Sequence, residues 1–146
     1  MQNIFNVTKD CPNCGANAEI TVYGHVNEIE NPGVGALIGS YRAHMHHCPK
    51  CGVPILYRYN TIYEDVENNV VFVFTREKEY AKKIREWFKD LKAQDSMYAN
   101  CKLRLFSNIE NFIGAVALHD DEYRFDEEGY QKFVKHMEEV EAILGL

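Results

Sequence analysis

The sequence predicts an α+β domain, and three observations carry this prediction. A five-residue cysteine motif occurs twice in the first third of the chain. Segments with alternating or continuous apolar residues, typical of strands, fill much of the first 75 residues. Segments with apolar residues at helical spacing dominate the rest. Since 146 residues suffice to bury a hydrophobic core, we expect a single domain over residues 1–146.

The repeated motif is Cys11-Pro12-Asn13-Cys14-Gly15 and Cys48-Pro49-Lys50-Cys51-Gly52. A two-residue spacer lets one tight turn present two thiolates, and the glycine relieves crowding where the backbone reverses. Four thiolates complete the tetrahedral coordination of zinc, so the predicted ligands of one Zn²⁺ are Cys11, Cys14, Cys48 and Cys51. Because four sulfurs leave no coordination position open, we expect the zinc to be structural rather than catalytic.

Strands are expected on both sides of the first motif. Residues 1–10 predict a short edge strand, and residues 18–23 alternate apolar and polar side chains. The glycines at 33 and 35 suggest a flexible hairpin tip, after which residues 40–47 predict a returning strand. We therefore expect a zinc ribbon over residues 9–55 with an extended β-hairpin inserted in it. The two motifs would then lie at the two ends of that hairpin.

Residues 55–146 predict a sheet covered by helices. Residues 55–63 and 70–74 are rich in residues that favour strands, and Asn68-Asn69 suits the turn between them. Apolar residues recur at helical spacing over 75–93, and residues 102–106 predict another strand. Ser107 with Glu110 forms a capping-box pattern for a second helix, and a third is expected from Asp126. The prediction is an antiparallel sheet covered by two or three helices.

Two surfaces could recognise a partner. Strand alternation would place Arg42, His44 and His46 on one face of the returning strand. The first helix carries a basic group that includes Lys82, Lys83 and Arg85, with glutamates between its cations. The functional interpretation is contact with a protein or a nucleic acid. The alternative interpretation is ordinary solvated charge on a strand and a helix.

No catalytic set is recognisable in the sequence. The fifth cysteine, Cys101, would need a base such as His119 or His136 beside it to act as a nucleophile. A buried, inert thiol at the start of a strand is the alternative that we favour. We therefore expect a protein that is not an enzyme.

Net charge and hydropathy limit the class of partner and the cellular compartment that we expect for this protein. The formal net charge is −6, whereas a protein that coats nucleic acid is expected to be basic. No signal peptide is visible, and no stretch approaches the ~20 apolar residues that cross a bilayer. We expect a cytoplasmic protein that does not contact membranes. In that reducing compartment, clustered cysteines favour metal over the alternatives, which are two disulfides or four unrelated buried thiols.

The chain resembles the CpXC proteins, a prokaryotic and phage-encoded family named for two Cys-Pro-x-Cys motifs. The resemblance extends beyond the cysteines to Ile62-Tyr63-Glu64-Asp65 and to residues 103–110, and it spans about residues 11–126. It implies the zinc site at the four motif cysteines, but it implies no reaction. We therefore expect a non-enzymatic protein with structural zinc that acts through protein–protein interaction. The alternative is a nucleic-acid-binding zinc-ribbon regulator.

Overall fold

The computed structural model describes residues 3–123 and Lys135. The strands are β1 (Asn3–Asp10), β2 (Asn17–Asn27), β3 (Met45–His47), β4 (Pro54–Leu56), β5 (Thr61–Asp65), β6 (Val70–Phe74) and β7 (Lys102–Phe106). The helices are α1 (Val34–Gly39), α2 (Lys78–Gln94) and α3 (Ile109–Tyr123). Short 3₁₀ turns occupy Val66–Asn68 and Ser96–Tyr98. These elements confirm the predicted α+β class.

Five strands form one mixed sheet in the order β1-β2-β5-β6-β7. The pairs β1–β2 and β5–β6 are antiparallel, whereas β2–β5 and β6–β7 are parallel. The prediction of an antiparallel sheet was therefore wrong for two of the four strand pairs. Parallel pairing requires a long crossover. Residues 28–60 form one crossover, and α2 with the turns around it forms the other.

Helices cover both faces of this sheet. On one face, α1 and α3 enclose a core that includes Ile38, Phe74, Phe112 and Val116. On the other face, α2 packs Ile84 and Phe88 over a second core, which contains Ile62, Val71, Val73 and Cys101. Residues 71–74 are at most 4% exposed, because their side chains alternate between two covered faces. This explains why the apolar run over residues 70–74, where a strand was predicted, is unbroken.

The two cysteine motifs are the turns of two separate hairpins. The first motif joins β1 to β2, and the second joins β3 to β4, which form their own two-stranded sheet. The prediction of one long hairpin between β2 and residues 40–47 was wrong. In each motif the glycine allows a tight turn, so each motif joins two strands that pair directly with each other.

Residues 34–39, expected in a hairpin tip and its return, instead form the short helix α1. The returning strand is limited to Met45–His47. Two tertiary contacts hold α1 in place. The Glu28 carboxylate accepts hydrogen bonds from the backbone N–H groups of Gly33 and Gly35, at 3.0 and 3.5 Å. Gly39 packs directly on Ala117 of α3, where a Cβ would lie 2.9 Å from the Ala117 Cα.

The second predicted helix begins one residue later than its capping box suggested. The Asn108 side chain, rather than Ser107, accepts a hydrogen bond of 2.9 Å from the Asn111 backbone N–H and so caps α3. The helix expected from Asp126 lies outside the described residues. Among the residues that the structure describes, no helix has the length and apolar character needed to cross a bilayer.

Candidate metal centre

Both cysteine motifs adopt the same local structure. In the first, the Gly15 N–H donates to the Cys11 carbonyl at 2.8 Å, and the Cys11 N–H donates to the Ala16 carbonyl at 2.8 Å. The equivalent bonds of the second motif run from Gly52 to Cys48 at 2.8 Å and from Cys48 to Val53 at 3.0 Å. Both glycines have a φ of 76°, in the left-handed region that other residues rarely adopt.

The four cysteine sulfurs converge at the meeting point of the two turns. All lie within 4.8 Å of one another. The Cys11 and Cys51 sulfurs are 3.7 Å apart, and those of Cys14 and Cys48 are 3.5 Å apart. Zinc–sulfur bonds of about 2.3 Å in a tetrahedron require sulfur–sulfur separations of about 3.8 Å. The cluster therefore has the donor atoms and the size that a tetrahedral metal ion requires.

Backbone and side-chain N–H groups point at these sulfurs. The Asn13 N–H lies 3.4 Å from the Cys11 sulfur, and the Asn13 side-chain amide lies 3.5 Å from that of Cys51. The Cys51 N–H donates to the Cys48 sulfur at 3.4 Å. This bond, together with one from the Lys50 amide, outweighs desolvation and lowers the pKa of Cys48 to about 6. Such donors stabilise thiolates and orient them as metal ligands.

The closeness of the four cysteine sulfurs opposes full ionisation of the cluster. The Ala16 amide favours the Cys14 thiolate, but desolvation and the neighbouring sulfurs outweigh it and raise the pKa of Cys14 to about 12. Four negative sulfurs at these separations repel one another. A bound divalent cation would remove that penalty, because metal binding displaces the thiol protons. The chemistry of the donor set therefore fits a metal ion.

The structure separates Arg42, His44 and His46, which were predicted to share a solvated face. Arg42 is exposed and His46 is half-buried. His44 is fully buried, so its assignment to a recognition surface was wrong. Its ring stacks on Tyr59 at 4.5 Å, and its Nε2 lies 2.9 Å from the Thr61 hydroxyl. The reason is that residues 40–44 form turns rather than a strand, so strand alternation does not apply to them.

The other predicted residues that the structure describes lie in different environments. Lys82, Lys83 and Arg85 are all exposed on α2. Cys101 is fully buried, and burial raises the pKa of its thiol, with Glu64 acting in the same direction. The Nε2 of the candidate base His119 lies 2.9 Å from a carboxylate oxygen of Asp65. His136 lies outside the described residues.

Sequence reasoning missed a set of buried carboxylates at the end of β5 and after β2. Glu28, Glu64 and Asp65 are each at most 3% exposed. Glu28 accepts a bond of 3.1 Å from the Tyr63 hydroxyl, Asp65 contacts His119, and Glu64 contacts His25. The available signal was the pair of adjacent acidic residues in a strand covered on both faces, since buried charges require partners.

The comparisons agree with the geometry of this centre. The family model described as CpXC protein matches residues 10–126, which include all four clustered cysteines. No curated protein and no solved structure matches the chain significantly. Because the match covers well over half of the sequence and includes both cysteine motifs, the chain belongs to the CpXC protein family.

Proposed function

We propose that this CpXC protein binds one Zn²⁺ at Cys11, Cys14, Cys48 and Cys51, that the zinc is structural, and that the protein acts by recognising another protein. The observation that carries the proposal is the closure of the site. Four sulfurs at tetrahedral separations would occupy every coordination position and leave none for water or substrate. In this role the metal joins the β1–β2 hairpin to the β3–β4 hairpin.

The outer face of α2 is our proposed recognition surface, defined by Lys82, Lys83 and Arg85. These cations are interspersed with exposed Glu79 and Glu86, so the face carries both signs of charge. Mixed charge suits a protein partner better than a continuous phosphate backbone, which requires a basic patch. The formal net charge of −6 supports the same choice.

Affinity capture from native extract tests the proposal. The wild type should retain a defined protein partner after nuclease treatment. The triple variant Lys82→Glu/Lys83→Glu/Arg85→Glu should lose most of it, because three contacts change sign. The matched control is Lys9→Glu/Lys102→Glu, which alters exposed lysines on β1 and β7 and should retain the partner. Equal retention by the triple variant and the control would contradict the α2 surface.

Nucleic-acid binding is the alternative, and it now depends on the α2 cations, since His44 is buried. It predicts that short DNA or RNA duplexes and single strands bind with an affinity that falls steeply as the salt concentration rises from about 50 to about 200 mM, because salt weakens phosphate contacts. Fluorescence anisotropy would measure this affinity. Salt-sensitive binding that the triple variant abolishes would support the alternative over a protein partner. Absence of binding at low salt would remove it.

A further inference from the structure

A cleft of about 480 Å³ opens on the α2 side of the sheet, next to the edge strand β1. Helix α2 packs over β5, β6 and β7 through Ile84 and Phe88. Tyr80 of α2 forms the helix side of the cleft. The β1–β2 half of the sheet forms the rest of the cleft, with Phe5 and Val22. Its volume falls within the ~300–1,000 Å³ range of small-molecule sites.

A β-bulge directs His25 into this cleft. Asn3 is paired with His25, but the next residue of β1, Ile4, is paired with Tyr23, so Gly24 is an extra residue in β2. In a regular strand, Val22 and His25 would point to opposite faces. The extra residue brings both side chains to the cleft. Bulges commonly re-aim side chains in this way next to functional sites.

His25 is held by a buried carboxylate. Its Nε2 is hydrogen-bonded to the Glu64 side chain, which is 1% exposed, and its ring meets Trp87 edge-to-face at 5.7 Å. Burial raises the pKa of Glu64, but hydrogen bonds from His25 and Tyr98 outweigh this and lower it overall. An ionised carboxylate only accepts hydrogen bonds, so Nε2 carries a proton. Within the described part of the chain, the other ring nitrogen, Nδ1, makes no hydrogen bond.

Two other polar groups of the cleft, the Tyr59 hydroxyl and the Asn60 amide, already have partners. The Tyr59 hydroxyl donates to the Ala43 carbonyl at 2.6 Å and accepts from the Tyr23 N–H at 3.2 Å. The Asn60 side chain donates to Glu77 at 2.7 Å and accepts from the Thr75 hydroxyl at 2.7 Å. Of the remaining polar groups, which include Asn3 and the Tyr80 hydroxyl, His25 is the one that a buried carboxylate holds in place.

The lining also selects the class of ligand. Among the described residues, no Lys, Arg, Asp or Glu lines the cleft, so it offers no counter-charge to a phosphate or an amine. Its walls are mostly apolar and include the aromatic rings of Phe5, Tyr59 and Tyr80, which favour stacking against another ring. A neutral, aromatic molecule with one hydrogen-bonding group fits these features.

We propose that this cleft binds a neutral aromatic molecule of one or two rings that carries a hydroxyl group, with the hydroxyl hydrogen-bonded to Nδ1 of His25. A hydroxyl can donate to a neutral imidazole and accept from a charged one, so it satisfies Nδ1 in either protonation state. None of the four motif cysteines lines the cleft, and binding there requires no metal. It would make the protein a small-molecule binder in addition to its proposed role.

NMR titration with 2-naphthol tests this site in the zinc-loaded, full-length protein. The backbone amides of Phe5, Gly24 and His25 should shift saturably, as should the imidazole nitrogens of His25. The matched probe is 2-methylnaphthalene, which replaces the hydroxyl by a methyl group of similar size. It should bind about tenfold more weakly, the effect expected from losing one hydrogen bond.

Two variants check the location of the site. Phe5→Ala removes a side chain of the cleft wall that is 44% exposed, so the variant should fold. It should weaken 2-naphthol binding by about fivefold or more, because one apolar contact surface is lost. Met97→Ala removes a side chain that is 53% exposed and lies outside the cleft, and it should leave binding unchanged. Equal affinity for the two probes, or no saturable shift at these amides, would overturn the proposal.

Discussion

Cys14 and Cys48 place their sulfurs 3.5 Å apart, although 34 residues separate them in the sequence. Neither residue belongs to the five-stranded sheet, and each lies in the turn of a different hairpin. Their approach therefore depends on how the two hairpins are held together. A metal ion that joins the two turns, as we propose, would account for this approach and for the matching structures of the turns.

Removing a ligand should release the metal. We expect Cys14→Ser to lose most of its zinc, because a serine hydroxyl is a poor substitute for thiolate in a four-sulfur site. The matched control is Cys101→Ala, which removes the fully buried fifth thiol and should retain the zinc content of the wild type. Metal analysis of both purified variants measures this difference. Equal zinc content in the two variants would contradict the assignment of Cys14.

His44 should make stability fall with acidification. Burial, with a smaller effect from His46, lowers the pKa of His44 to about 3, well below the ordinary value near 6.5. The unfolded chain therefore binds a proton at His44 before the folded protein does. The stabilisation is complete above about pH 6.5 and is lost as the pH falls below it, by about 2 kcal/mol between pH 7 and pH 5.

Comparison with His44→Gln isolates this contribution. Glutamine retains a polar group near the Thr61 hydroxyl but does not titrate, so the variant should lose about 2 kcal/mol less than the wild type between pH 7 and pH 5. Urea unfolding at each pH, with zinc content checked in parallel, measures the difference. Identical pH dependence in the two proteins would show that His44 is not buried in its neutral form.

Gly39 and Gly114 make a matched pair for testing the contact between α1 and α3. A Cβ on Gly39 would lie 2.9 Å from both the Cα and the Cβ of Ala117, so Gly39→Ala should cost about 1–3 kcal/mol through overpacking. Among the described residues, a Cβ on Gly114, in α3, meets no atom within 4 Å beyond its own stretch of helix. Gly114→Ala should stabilise the protein by about 0.5–1 kcal/mol, since alanine favours helix over glycine. Thermal or urea unfolding should show opposite signs, and a harmless Gly39→Ala would refute the close packing.

The Glu64 carboxylate should matter more to stability than an exposed one. Glu64→Gln removes the charge that holds His25 in a buried environment, at an expected cost of about 3 kcal/mol. Glu79→Gln changes an exposed glutamate on α2 and should alter stability by less than about 0.5 kcal/mol. The free energies of unfolding in urea at neutral pH provide the comparison. Similar values for the two variants would contradict the buried pairing of Glu64 with His25.

Local sequence was sufficient where one element determines its own structure. The spacing within each cysteine motif predicted the four clustered residues, because a single turn presents each pair. The strand at residues 102–106 was predicted with the bounds that β7 has. The apolar stripe of α2 was also visible, and its Ile84 and Phe88 are buried as expected.

Tertiary contacts decided what local sequence could not predict. Helix α1 has six residues, too few to be stable alone, and it depends on Glu28 and on the packing of Gly39 against Ala117. The parallel strand pairs follow from the paths of two crossovers. The bulge at Gly24, which directs His25 toward Glu64, leaves no local signal that distinguishes it from an ordinary strand glycine.

The zinc content of the purified, full-length protein tests the central claim most directly. Metal analysis should find about one zinc per chain, and a strong chelator should remove it and unfold the protein, because metal binding and folding are coupled at structural sites. Circular dichroism before and after chelation reports the loss of structure. Carefully prepared protein that contains no zinc, or a fold that persists unchanged after complete zinc removal, would contradict a structural zinc site at Cys11, Cys14, Cys48 and Cys51.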